Sequence, residues 1–392
     1  MEFRPDHCPC EEPKCAGSAG FQYQRRGHYT RACDGRRVQR FQCKACKRTF
    51  STQTFRVDYG LKRVSLDVKI FLALISKVTL RQIAKTHHCT LRTVARRLDL
   101  FGKQGRGFHE WRMRMRGIAT PWEGQFQLDE LETFEHNRRL KPVTVPVLVH
   151  KPSYCILHTE VGTLPARKPL SKANLAKLAR YEQLEGNVPR KSESREKMTR
   201  CFEVLARVCD PKAKVFVGTD EKHTYAVALK RLFGARLVHQ KTHSSVPRSY
   251  KNPLFPINHT FAMLRDNLSR LVRRNWGASK KREKLESHLW IYVAWRNYVR
   301  PITNRNHTQT AAMVAGLCPR MLEVTDLLAV RMFETKRAQR RAAESLGGAM
   351  ETELAARLMP HSQLVSDRCK PRQVQPDEAA SITAARRPGP CW

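Results

Sequence analysis

The chain has 392 residues, enough for two or three domains, and sets 73 Lys and Arg against 35 Asp and Glu, a net charge of +38. A surplus that large attracts polyanions, and nucleic acid is the default partner because neutralised phosphates release their counterions. No run approaches the ~20 apolar residues of a membrane-spanning helix, and MEFRPDHCPC has no apolar secretory segment, so the expectation is a cytoplasmic, nucleoid-associated protein with no membrane partner.

Six of the 13 cysteines fall early: Cys8, Cys10, Cys15, Cys33, Cys43 and Cys46. In a reducing compartment this clustering points to a metal rather than to disulfides. Cys43-Lys-Ala-Cys46 forms a knuckle, and its partner pair lies upstream in HCPCEEPKC. Cys10, Cys15, Cys43 and Cys46 are the expected thiolate ligands of a tetrahedral Zn2+, with Cys8 an alternative to Cys10 and Cys33 a weaker candidate. A unit over residues 1–55 has too small a core to fold without such a staple. Between the pairs, Arg25, Arg26, Arg31, Arg36, Arg37 and Arg40, with Phe21, Tyr23, Tyr29 and Phe41, predict a basic and aromatic surface suited to the DNA backbone.

Residues 62–115 read as a helix-turn-helix. SLDVKIFLALISK has a helical apolar face. Thr79 caps a short helix holding Ile83 and Ala84, His87-His88-Cys89 makes the turn, and Thr90 caps a second helix with Val94 and Leu98 inside. Arg92, Thr93, Arg96 and Arg97 are its expected outward, DNA-contacting residues.

Residues 120–300 alternate strand-like and helix-like runs. GQFQLDELETFEH, LKPVTVPVLVH and YCILHTEVG predict an antiparallel meander. Then come a long connection, a helix (SREKMTRCFEVLARVC), a buried strand (AKVFVGTD), a helix (TYAVALKRLFG), a fifth strand (ARLVHQKT) and a long helix (INHTFAMLRDNLSRLVRRNW). This is the order of a ribonuclease H-like α/β fold built on a mixed five-stranded sheet. Asp129 falls on the first strand and Asp220 at the end of the fourth, which runs beside it in that fold. Two such carboxylates can share Mg2+ or Mn2+ for phosphoryl transfer. Either alone has an ordinary reading, a surface strand residue or a helix cap. Glu130 points to the opposite face of a regular strand. Residues 301–345 read as a helical extension, and the Pro/Arg-rich 346–392 as a mostly disordered tail.

The segments RVQRFQCKACKRTFST, FQLDELETFEHNRRLKPVTVPVLV, VGTDEKHTYAVAL and INHTFAMLRDNLSRLVRRNW resemble DDE-type insertion-sequence transposases of the group with a zinc ribbon, a helix-turn-helix and a compact core. The resemblance spans most of residues 8–300 and implies Asp129 and Asp220 as the first two catalytic acids. Where the family's last carboxylate opens the final helix, this chain has Asn258, as some members of the group do; Asp266, two turns along, is the alternative third position. Arg265, Arg270, Arg273 and Arg274 follow as candidate phosphate contacts, with Arg265 and Arg273 foremost. The implied activity is metal-dependent cleavage and strand transfer on double-stranded DNA, at the inverted repeats of a mobile element, by a homo-oligomer. The rival readings are a non-catalytic DNA-binding regulator or transposase remnant, which Asn258 favours, and an RNA-acting nuclease on the same fold, against which the helix-turn-helix argues.

Overall fold

The computed structural model describes residues 3–5, 7–10, 15, 21–186, 188–272, 277–305 and 307–333. Arg273, Arg274, the tail over 346–392 and the end of the expected 301–345 extension lie outside these residues.

The amino-terminal unit is a three-stranded antiparallel sheet of β1 (Tyr23–Thr30), β2 (Arg37–Cys43) and β3 (Thr49–Ser51). Its core is Phe41, Phe50 and Phe55, with Phe21 and Tyr23 packed against them. The expected aromatic DNA surface is corrected here: Phe41 is fully buried and stacks on Phe50, because alternate residues of so short a strand must supply the only core the unit has. Arg31 is also not on the surface. Its guanidinium is buried and donates to Asp58 Oδ2 at 2.7 Å and to the Asp58 and Leu61 carbonyls, tying the sheet to the next segment. Arg25, Arg26, Arg37 and Arg40 remain exposed.

Three helices follow: α1 (Asp67–Leu74), α2 (Leu80–Thr86) and α3 (Leu91–Ala119). The caps fall where the sequence predicts them: Thr79 accepts from the Gln82 amide and Thr90 from the Thr93 amide. Ile70, Leu74, Ile83, Val94 and Leu98 close the interior. Helix α3 runs past the expected boundary at 115 and lies against α8 (Arg282–Tyr298). Glycines in GKQGRG allow the approach. A Cβ on Gly102 would sit 2.5 Å from Ser287 Cα, and one on Gly105 would sit 2.5 Å from the Trp290 carbonyl oxygen. The helix-turn-helix unit and the core therefore share one continuous helix.

The core sheet runs β6-β5-β4-β8-β9, formed by β4 (Gln125–Phe134), β5 (Pro142–His150), β6 (Cys155–Thr159), β8 (Val215–Asp220) and β9 (Leu237–Thr242). The first three strands are antiparallel; β8 joins β4 in parallel, and β9 joins β8 in parallel. This is the predicted ribonuclease H-like order. It gains a sixth, two-residue strand, β7 (Gly162–Thr163), on β5. Helices α5 (Ser194–Val208) and α6 (His223–Phe233) cover one face. Helices α7 (Phe255–Asn267) and α8 pack on the other, where Val143, Val145, Val147 and Val149 meet Ile257, Phe261 and Leu289.

Two expectations change. The connection before α5 contains α4 (Lys172–Leu184), a helix the sequence reading did not set out and which fully buries none of its residues. The final helix stops at Asn267 instead of running to 276: Leu268 is extended, and the Asn267 carbonyl accepts the Lys77 N–H at 2.7 Å. Two short helices, α9 (Ala311–Val314) and α10 (Val324–Leu327), complete the described chain. None of its helices is long and apolar enough to cross a membrane.

Gly105→Ala is expected to destabilise the protein by about 1–3 kcal/mol, since the added methyl overpacks a backbone contact that cannot rotate away. A thermal melt would read this as a lowered Tm with unchanged secondary structure.

Candidate active site and metal centre

Strands β4 and β8 pair through Gln125↔Phe216, Phe126↔Val217 and Gln127↔Gly218. Asp129 and Asp220 each stand two residues past the last rung. Side chains two apart on a strand share a face, so both carboxylates lie in one row on the α7 side of the sheet. Both are half-buried. Burial pushes the Asp129 carboxyl up to about 6. The charges of Asp220 and Glu130 add to the shift, while the Glu130 amide, donating to Asp129 Oδ1 at 2.7 Å, and Arg248 oppose it. Asp220 Oδ1 accepts the Lys222 amide at 3.0 Å. Acids remote in sequence thus sit close enough for one charge to raise the other.

The third position is brought up by a residue that the sequence did not single out. Gln127, only 2% exposed, is two residues before Asp129 on the same face. Its Nε2 donates to the Pro253 carbonyl at 2.6 Å and its Oε1 accepts the Ile257 amide at 3.1 Å. This clamps the first turn of α7, with Pro256 at its start, to the strand that carries Asp129. The Asn258 amide bonds to the Leu254 carbonyl one turn earlier, and the Leu254 side chain closes over Gly218. Asn258 therefore sits on the helix turn held beside the acid row. Asp266 does not: it is 71% exposed and pairs with Lys77 Nζ at 3.6 Å, on the helix-turn-helix side. Nothing in the sequence pattern marks Gln127; only its position two before an acid could have drawn attention to it.

Glu130 faces the other way, as strand alternation requires. It accepts from Thr144 Oγ1 at 2.8 Å, Ser194 Oγ at 2.7 Å, Tyr225 Oη at 3.0 Å and Lys222 Nζ. That carboxylate is occupied holding α5 and α6 to the sheet.

Among the predicted DNA contacts, Arg92 and Arg96 are exposed at the start of α3, and Thr93 is half-buried with its hydroxyl on Thr90. Arg97 is a correction. It is 6% exposed and donates to Asp67 Oδ1 at 2.5 Å, because its place one turn after Thr93 rotates it onto α1. Arg265 is half-buried on α7. Arg270 turns inward to Ser279 Oγ, and its burial pushes the guanidinium down to about 10. The break after Asn267 takes it off the expected basic helix face.

In the amino-terminal unit, the sulfurs of Cys8, Cys10, Cys15 and Cys46 lie within 4.8 Å of one another, the first three buried; among the described residues this is the one group of three or more His, Cys, Asp or Glu so gathered. Cys43 Sγ lies 3.8 Å from Cys15 Sγ, in contact with this group, and packs with Cys8, Cys10 and Cys15 on the same aromatic core. Cys8, expected as the alternative to Cys10, is gathered alongside it. Cys33 is exposed and apart. The contacts of 3.2 Å between Cys8 and Cys10 and 3.6 Å between Cys8 and Cys46 approach the edge of about 3.8 Å of a tetrahedron with Zn–S bonds of ~2.3 Å. Burial pushes the Cys8 and Cys15 thiols up, so without a cation they hold their protons; the donor set fits Zn2+.

No family model and no curated protein sequence matches the chain. Among solved structures, the catalytic domain of Mos1 mariner transposase aligns over 50% of this chain and 90% of its own, at 14% identity and a TM-score of 0.21. The Mos1 mariner paired-end complex with Mn aligns over 56% and 72%, at 12% identity and 0.21, and the Mos1 strand transfer complex over 59% and 76%, at 13% identity and 0.20. At these scores the likeness carries no weight; strand order and register support the fold.

Cys10, Cys15 and Cys46 belong to both the expected and the gathered ligand sets. Cys15→Ser or Cys46→Ser is expected to abolish zinc retention by the purified chain, whereas Cys33→Ser should leave it intact, as metal analysis after dialysis would show.

Proposed function

We propose that this protein is a transposase that binds duplex DNA at the ends of a mobile element, cuts it and joins the ends to new DNA. The observation that carries the reading is the shared row of Asp129 and Asp220, two residues past a common rung of parallel strands, with the α7 turn of Asn258 clamped beside it. Two carboxylates in one half-buried row favour a divalent cation, because the charge of Asp220 raises the cost of ionising Asp129. Mg2+ or Mn2+ bound there would activate a water or 3′-hydroxyl and stabilise the leaving oxygen.

Asp129 and Asp220 are the anionic donors, and Asn258 offers an amide oxygen as a neutral third donor. Gln127 holds the Asn258 turn in place. The Lys222 amide orients Asp220. Arg248, near enough to Asp129 to stabilise its charge, is placed to meet a substrate phosphate. Zinc in the amino-terminal unit would hold the thiol cluster as one body that presents Arg25, Arg26, Arg37 and Arg40, and α3 would present Arg92 and Arg96. These exposed cations, within a chain of net charge +38, supply the polyanion affinity. Assembly as a homo-oligomer on paired ends is part of the same proposal.

The non-catalytic reading draws on Asn258, which lowers the charge of the donor set. Asp220→Ala is expected to abolish Mn2+-dependent cleavage of duplex DNA bearing the element's ends while leaving DNA affinity within about twofold, because surface cations, not the acids, hold the phosphates. Activity surviving in Asp220→Ala, or absent from the wild type and gained by Asn258→Glu, would contradict the proposal for this chain.

The raised Asp129 carboxyl adds a pH dependence. The cation binds the ionised form, so protons compete below about 6. Apparent Mn2+ affinity at the acid pair is expected to fall as pH drops through that value, by up to about tenfold per pH unit below it. Calorimetric titration of the wild type against Asp129→Asn would reveal the effect, and the variant should lose the dependence along with the binding.

A further inference from the structure

The sheet face that bears the acids continues past them. The register sets out its rows: Gln127, Gly218 and Gln240 lie behind Asp129, Asp220 and Thr242, and Gln125, Phe216 and Val238 lie behind those. Helix α7 reaches only the middle row, where Leu254 closes over Gly218. In the last row Phe216 is 40% and Val238 39% exposed, although Val215 and Val217, on the opposite face of β8, are buried in the core. The result is a cleft of about 330 Å³ floored by Phe216, Gly218 and Val238 and edged by Gln125, Gln240 and Lys151. Lys151 Nζ is held at the rim by Gln125 Oε1 at 2.7 Å.

We propose that this cleft is a subsite for an unpaired nucleobase of the DNA strand whose phosphate lies at the acid pair. The inference rests on the proposed function and extends it to the form of DNA bound. An exposed aromatic ring is a stacking platform for any base. The Gln240 amide presents a donor and an acceptor, and Gln125, whose Oε1 holds Lys151, presents its amide donor, groups of the kind that match base edges. Lys151 supplies a cation for the connecting phosphate. The volume is at the small end of ligand clefts, too small for a duplex and suited to a single flat group. A base in such a cleft must have left its stack. The distance also fits: Phe216 and Asp220 are four residues apart on one strand, about 13 Å, a span bridged by a short single-stranded run.

The test compares the full-length protein's affinity for a blunt duplex and for the same duplex with a short single-stranded 3′ extension carrying a fluorescent base analogue, without added divalent cation. The wild type should prefer the extended duplex and quench the analogue. Phe216→Ala should weaken binding of the extended duplex on the order of tenfold and lose the quenching. Phe216→Trp should retain both, and affinity for the blunt duplex should change in neither variant. Equal binding of the two duplexes by the wild type would overturn the proposal, as would Phe216→Ala binding the extended duplex like the wild type. A loss of self-association in Phe216→Ala with DNA binding unchanged would overturn it too, by marking the face as a protein contact. Extension preference that persists in a chain unable to cleave DNA would sustain the subsite while removing the strand-transfer reading.

Discussion

The parallel ladder between β4 and β8 is the constraint on which the candidate site depends. Parallel strands cannot be joined by a tight turn, so the chain passes through two more strands of the meander, β7, α4 and α5 before β8 returns beside β4. Because the side-chain period is two, a slip of one residue would send Asp220 to the α5–α6 face and separate it from Asp129. The register is held by burial. Val215, Val217 and Thr219 fill the core side of β8, which leaves Phe216, Gly218 and Asp220 for the open side.

The two faces of the sheet divide the acidic residues by role. Glu130, next in sequence to Asp129, is spent on hydroxyl and ammonium partners from β5, α5 and α6. That network also restrains Lys222, whose amide supports Asp220, so the carboxylate on one face steadies its neighbour on the other. On the acid face, Gln127 satisfies its buried amide entirely through the backbone of the segment opening α7. A buried amide left unpaired costs about 1–3 kcal/mol, which makes the clamp a condition of stability as well as of placement.

The amino-terminal units are joined to this core rather than tethered to it. Helix α3 presents Arg92 and Arg96 at one end and packs glycine-to-backbone on α8 along its middle. Lys77 and Asp266 make a second connection, while Arg31 with Asp58 ties the amino-terminal sheet to the segment before α1. A duplex bound at the amino-terminal units would therefore be held at a set distance from the acid row.

Periodicity and capping determined several elements of this protein from its sequence: the capped helix pair, the meander and the parallel return, with Asp129 on the first strand of the meander and Asp220 ending the parallel one. These are local signals, each written within a dozen residues. Tertiary structure alone decided which polar groups turn inward and which thiols meet. Arg97 and Arg270 read as surface cations until α1 and the segment around Ser279 supplied their partners. Gln127 read as an ordinary strand residue until α7 docked on it, and Cys8 met Cys10, Cys15 and Cys46 together only once the chain had folded. In each case the deciding contact comes from a segment distant in the chain, and local pattern holds no record of it.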